Sequence, residues 1–159
     1  MSHFFVESAL KKYGDTVLRV ANSITCNRAD SEDVFSDVFF SLWQNMQNGK
    51  EFASDEHLKA WLVRVAINKA KNVVRLAFNK RRVELDNNIP FVELQRIEDS
   101  TVYEALGRLK PKDRAIMYLH YYEGYGHSEI AEMLGLRLSG VRSRVVRARE
   151  KLREVMSKE

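Results

Sequence analysis

The stretch from Gly126 to Arg153 constrains the fold more than any other part of the chain. Residues 127–134 and 138–156 each carry apolar side chains at helical spacing, and only three residues separate them. Ile130, Ala131 and Leu134 supply the apolar positions of the first part, and Leu136 stands between the two. From Val141 the apolar residues Val145, Ala148, Leu152 and Val155 follow at steps of 4, 3, 4 and 3, which is one stripe of an α-helix. Gly135 can take the left-handed conformation that a tight turn requires, and Ala131 is small where two helices must cross closely. The face away from the stripe displays Ser139, Gly140, Arg142, Ser143, Arg144 and Arg147. This pattern predicts a helix-turn-helix whose second helix enters the DNA major groove. Residues early in such a helix point at bases, so Ser139, Arg142 and Ser143 are candidate base contacts; Arg147, Arg149 and Lys151 are assigned mainly to phosphate.

Two residues fit this layout poorly. Arg137 stands where a helix start prefers Ser, Thr, Asp or Asn, so Ser139 is expected to take over as cap and shorten the helix. Gly140 inside the first turn costs about 1 kcal/mol relative to Ala. Either it reflects simple drift, or the backbone there approaches DNA closely.

The net charge of +4 hides an uneven distribution. Residues 1–56 sum to −4, residues 57–82 hold eight Lys/Arg and no acid, residues 83–100 sum to −4, and residues 137–153 sum to +6. One basic block alone reads as a solvated helix face. Two blocks in helical patterns, one of them in a helix-turn-helix, point to two contacts with nucleic acid.

The rest of the chain reads as helices too, and only two prolines and seven glycines stand in their way. A first helix over about 3–25 has Phe5, Ala9, Leu10, Tyr13, Val17, Leu18, Val20, Ala21 and Ile24 on one face. A second over about 31–46 has Val34, Phe35, Val38, Phe39, Leu42, Trp43 and Met46 for its core, with Ser31 as expected N-cap. Residues 47–56 have no period and form a loop. A third helix over about 57–80 is expected to bury Leu58, Trp61, Leu62, Val65, Ala66, Val73 and Leu76. Its other face carries Lys59, Arg64, Asn68, Lys71, Asn72 and Arg75. Pro90 and the Asn87-Asn88 pair break the pattern over 80–100. Further helices are predicted at about 101–108, 111–122, 127–134 and 138–156, with Pro111 in a first turn. The expectation is an all-α chain of two small helical domains, 1–80 and 101–159, joined by a linker at 81–100.

Asn68 and Asn72 are four apart and share a helix face. Their amides donate and accept, which suits base edges, and the surrounding Lys59, Arg64, Lys69, Lys71 and Arg75 suit phosphate. Trp61 is read as core. Phe52 in the preceding loop either supports an unstacked base or anchors the loop.

An enzyme is not expected. His3, His57, His120 and His127 show no metal-ligand spacing with Cys26 or paired acids, and no phosphate-cradling glycine loop is present. No metal and no cofactor are expected. The lone Cys26, the lack of an export signal at the N-terminus and the lack of a long apolar run lead to the expectation of a cytoplasmic protein with no membrane insertion of its own.

Three segments together resemble a known family. Ser31-Glu-Asp-Val-Phe-Ser-Asp-Val-Phe-Phe-Ser-Leu-Trp43, Leu58-Lys-Ala-Trp-Leu-Val-Arg-Val-Ala-Ile-Asn-Lys-Ala-Lys-Asn72 and Ala105-Leu-Gly-Arg-Leu-Lys-Pro-Lys-Asp-Arg114 with the helix-turn-helix are similar, in order and spacing, to bacterial sigma-70-type RNA polymerase sigma factors of the extracytoplasmic-function group. The resemblance implies that Asp33, Ser36, Asp37 and Phe40 face the clamp helices of core RNA polymerase. It implies that the loop 47–56, with Phe52, pockets a flipped base of the −10 element. Lys59, Arg64, Asn68, Lys71, Asn72 and Arg75 would then serve that element, and the helix-turn-helix would read the −35 element of promoter DNA and touch the polymerase flap. The acidic linker would thread through the core enzyme, and an anti-sigma factor would be a further partner. The chain departs from the family's pattern at Ser36, where Gln is common, at Lys110, where Pro is common, and at Arg137 and Gly140, which replace a usual Ser and Thr. The competing reading is a helix-turn-helix DNA-binding regulator with an N-terminal dimerisation module, which would not need the all-basic third helix.

Overall fold

The computed structural model of the protein describes residues 2–84 and 105–157. Among these residues every regular element is helical: α1 (Ser2–Thr25), α2 (Arg28–Gln47), α3 (Asp55–Glu84), α4 (Pro111–Tyr121), α5 (His127–Leu134) and α6 (Leu138–Ser157). A further helical turn lies at 105–107. Pro90 and the Asn pair lie outside the described residues, and α3 continues to Glu84, past its expected end at 80.

Helices α1, α2 and α3 pack pairwise into a bundle. Val17, Val20, Ala21 and Ile24 of α1 meet Val34, Val38 and Leu42 of α2 and Leu62, Val63, Ala66 and Ile67 of α3, all at or near complete burial. Gly14 lets α1 and α2 approach: a Cβ there would lie 3.4 Å from the Phe35 ring. The break between α1 and α2 is sharp because Cys26 takes a left-handed conformation, φ 51°. Asn27 caps α2, its side chain accepting from the Asp30 amide at 2.9 Å. Ser31 is therefore not the cap. It is buried in the first turn, where its hydroxyl donates to the Asn27 carbonyl at 2.6 Å and meets the Thr25 hydroxyl at 2.7 Å.

Two residues expected in the core lie outside it. Trp43 is 43% exposed and stacks on Phe40, and Leu76 is 62% exposed on α3. On α3, Val63 and Ile67 are buried instead, because this helix packs against both α1 and α2 and its buried stripe is wider than a single spacing suggests.

Helix α4 packs on α1 as well as on α6, and α5 pairs with α6. Pro111 opens α4, where a missing N–H is no loss. Glu129 bonds back to the Gly126 amide at 3.2 Å to cap α5. Gly135 ends α5 with φ 65° and ψ 34°, and the Leu136 amide closes on the Ala131 carbonyl at 2.9 Å. α6 then starts at Leu138, so Ser139 and Gly140 lie inside its first turn and Ser139 does not shorten it. The Arg137 carbonyl accepts from the Val141 amide at 3.1 Å; the backbone makes the start that the arginine side chain cannot. Val141, Val145 and Ala148 are buried and Leu152 is partly buried, while the side chain of Val155 lies outside the description.

Candidate nucleic-acid interface

The two basic blocks form two separate helix faces. On α6, Ser139, Arg142, Ser143 and Arg147 are exposed, and Gly140 has open space where a Cβ would stand. Arg144 is half-buried because its guanidinium donates to the Asp113 carboxylate at 2.8 Å, which ties α6 to the start of α4. Arg149 lies over Tyr121 and donates to its hydroxyl at 2.7 Å. The α6 face is therefore a solvent-facing row of serines and arginines, with Arg144 and Arg149 pinned.

On α3 the picture divides at about residue 66. Beyond it, Asn68, Asn72 and Arg75 are exposed, and Lys71 is half-buried beside them. The Asn72 amide oxygen accepts a long bond of 3.4 Å from Arg75, and both asparagines are exposed to solvent. Lys71 is held below the usual lysine range by partial burial, and then by the positive charges of Lys112 and Arg144.

The earlier part of the face points at the other half of the chain. The Arg64 guanidinium donates to the Met133 carbonyl at 2.7 Å and the Glu132 carbonyl at 2.8 Å. These are carbonyls at the C-terminal end of α5, where the helix dipole favours a cation. Lys59 sits 3.6 Å from the Glu123 carboxylate and over the Tyr125 ring. Glu123 also accepts from the Tyr118 hydroxyl, and burial first, then that carboxylate, pushes the Tyr118 phenol up.

Phe52 is half-buried, stacked on Phe5 with ring centres 6.2 Å apart and edge-on to His57 and Trp61. In this arrangement it anchors its loop. Asp33, Ser36 and Asp37 are exposed on α2 with Phe40, which is 57% exposed. Three acceptor or acidic groups thus frame an uncovered aromatic pair, Phe40 and Trp43.

Sequence reasoning passed over one charged residue that the structure makes central. Arg114 is 7% exposed. Its guanidinium donates to the Leu109 carbonyl at 2.9 Å, to the Gly107 carbonyl at 3.3 Å and to the Ile24 carbonyl at the end of α1. Burial lowers its affinity for the proton. The signal was its place one helical turn before Tyr118 in the buried run Ala115–Leu119.

These faces belong to a recognisable pair of modules. Residues 9–80 match the family model for Sigma-70 region 2, and residues 100–152 match that for Sigma-70 region 4. The chain belongs to the sigma-70 family. It is an RNA polymerase sigma factor of the extracytoplasmic-function group, a promoter-directing initiation factor. The RNA polymerase sigma factor CnrH of Cupriavidus metallidurans is 30% identical over 157 residues, which cover 89% of this chain and 81% of that one. The ECF RNA polymerase sigma factor SigE of Mycolicibacterium smegmatis is 27% identical over 96% of this chain and 62% of its own length. The solved structure of CnrH in complex with the cytosolic domain of CnrY superposes with a TM-score of 0.70 at 25% identity, covering 97% of this sigma factor and 88% of CnrH. The regulator with a dimerisation module is not favoured, because region 2 occupies the segment that such a module would need. Among the described residues no helix of this sigma factor is long and apolar enough to cross a membrane, and no group of three metal-binding side chains occurs.

Proposed function

We propose that the sigma factor reads promoters with its two basic faces while α2 docks on the polymerase. The observation that carries this reading is the pair of outward asparagines, Asn68 and Asn72, in the basic setting of Lys71 and Arg75. Asparagine amides read base edges by paired donor and acceptor bonds, and lysine and arginine hold phosphate. Phe52, Lys59 and Arg64 complete the −10 set, and Ser139, Gly140, Arg142, Ser143, Arg144 and Arg147 form the −35 set. Asp33, Ser36, Asp37 and Phe40 form the contact with core polymerase clamp helices. The domains divide as 1–80 and 101–159 around a linker at 81–100. The chain acts by binding and positioning, with no catalytic step or cofactor of its own, in the cytoplasm. A solved relative carries a partner, the cytosolic domain of CnrY, and an anti-sigma factor is the corresponding partner proposed here.

The test is reconstitution. Purified protein is mixed with core RNA polymerase, and transcript start sites are mapped on genomic DNA. Defined start sites absent with core enzyme alone are the expected result. Tight binding to duplex DNA with no association with core enzyme would reject it.

A further inference from the structure

We propose that the groove between α3, the start of α4 and α6 binds an oligophosphate anion, free or carried by a nucleotide, and that the bound anion clamps the two halves of the chain together. The groove has a volume of about 530 Å3, within the range of about 300–1,000 Å3 usual for small-molecule sites. Among the described residues five cationic side chains line it: Lys71 and Arg75 from α3, Lys110 and Lys112 from the start of α4, and Arg144 from α6. Among the described residues no carboxylate lines it. Asp113, next to Lys112 in sequence, is already paired with Arg144. Lys71, Lys110 and Lys112 have no ion-pair partner among the described residues. Like charges converging from three elements repel one another; Lys71 is held below the usual lysine range by partial burial first, and then by Lys112 and Arg144. An anion between them reverses the sign of the interaction.

The chemistry selects the ligand class. Neutralising cations from both sides of a groove takes several charges on one short molecule, which an oligophosphate has and orthophosphate has to a lesser degree. Arg75 and Arg144 can hold phosphate oxygens by charge-assisted bonds, and the lysines supply point charges. Phe78, 59% exposed, lines the same groove, so a nucleotide base has a ring to stack on. Lys110 and Lys112 are the two described lining cations that neither promoter-reading set uses.

The inference rests on the proposed function in one respect. Lys71, Arg75 and Arg144 are assigned to DNA there, so the anion competes with promoter DNA for them and opposes separation of the two halves.

Isothermal titration of the full chain with sodium tripolyphosphate, orthophosphate and magnesium-free ATP at one ionic strength tests the site. Tripolyphosphate is expected to bind one per chain, about tenfold or more tighter than orthophosphate, and the Lys110→Gln/Lys112→Gln variant to lose about tenfold. Unchanged circular dichroism and melting of the ligand-free variant exclude misfolding. Tighter binding of ATP that is lost in Phe78→Ala supports a nucleotide as the source; equal binding of ATP and tripolyphosphate supports the free anion. Several weak sites per chain, unchanged in the variant, would overturn the proposal. So would a hexaglutamate peptide that binds as tightly as tripolyphosphate, which would point to a protein partner. Failure of the wild type to direct transcription, with tripolyphosphate bound as expected, would instead remove the promoter-reading assignment and leave the anion site standing.

Discussion

Helices α3 and α6 carry similar basic faces, yet the molecule uses them differently. On α6 the exposed Arg142 and Arg147 face solvent, and among the described residues only Arg144 is tied to a carboxylate. On α3 the first half of the face is turned inward, with Lys59 on Glu123 and Arg64 on the α5 carbonyls, while Asn68, Asn72 and Arg75 beyond them are exposed. Equal charge therefore does not mean equal readiness. The α6 face can meet duplex DNA in the arrangement described, whereas the whole α3 face becomes available only when the contacts to α5 and to the connection between α4 and α5 are broken. The buried Arg114 bond to the Ile24 carbonyl belongs to the same set of contacts.

The largest effect follows from that bond. Arg114→Ala removes a buried cation and leaves the Ile24 and Leu109 carbonyls without their donor. A loss of about 3 kcal/mol in denaturant unfolding is expected, with the single transition splitting as the two halves lose their coupling. A loss below about 1 kcal/mol with one transition would break the contrast, because the halves would not depend on this contact.

Arg64→Ala acts on the same interface with less force. Two charged donors to backbone carbonyls are lost at an exposed edge, so the expected change is about 1–2 kcal/mol. Hydrogen exchange should quicken in α5 and leave the centre of α1 unaffected. Arg147→Ala on α6 should behave oppositely. Stability stays within about 0.5 kcal/mol, while affinity for duplex DNA falls and its salt dependence flattens by about one ion. If Arg64 and Arg147 gave the same pattern, the two faces would not differ.

A smaller effect concerns pH. His127 is held below the ordinary histidine value of 6.5 by burial first, then by His120, Arg142 and Arg149. Its Nε2 is buried without a hydrogen-bond partner among the described residues. The unfolded chain takes up a proton at this residue before the folded chain does. Its neutral form therefore supports the fold fully above pH 6.5, and that support declines as pH falls below it. Acidification should lower the melting temperature, and His127→Phe should weaken the dependence.

The helix-turn-helix was the most legible part of the chain because local rules determine it. Gly135 must take a left-handed turn, and the spacing from Val141 to Ala148 marks one stripe. Those signals need no knowledge of distant residues. The cap of α2 was misread at Ser31 because Asn27 four residues earlier offers an equally good acceptor, and only the left-handed Cys26 decides between them. Leu76 and Trp43 were placed inside because apolar periodicity cannot tell a core face from an uncovered one. The roles of Arg64, Lys59 and Arg114 were out of reach for a different reason. Their partners lie 69, 64 and 90 residues away along the chain, and pairing over such distances leaves no periodic trace.

The most direct test of promoter reading is the Asn68→Ala/Asn72→Ala variant assembled with core polymerase, followed by opening of promoter DNA with a fluorescent base analogue in the −10 segment. Loss of two amide contacts to bases predicts a fall in opening of about tenfold or more, with affinity for core polymerase unchanged. Equal losses of opening and of core binding would contradict the assignment of this face to DNA.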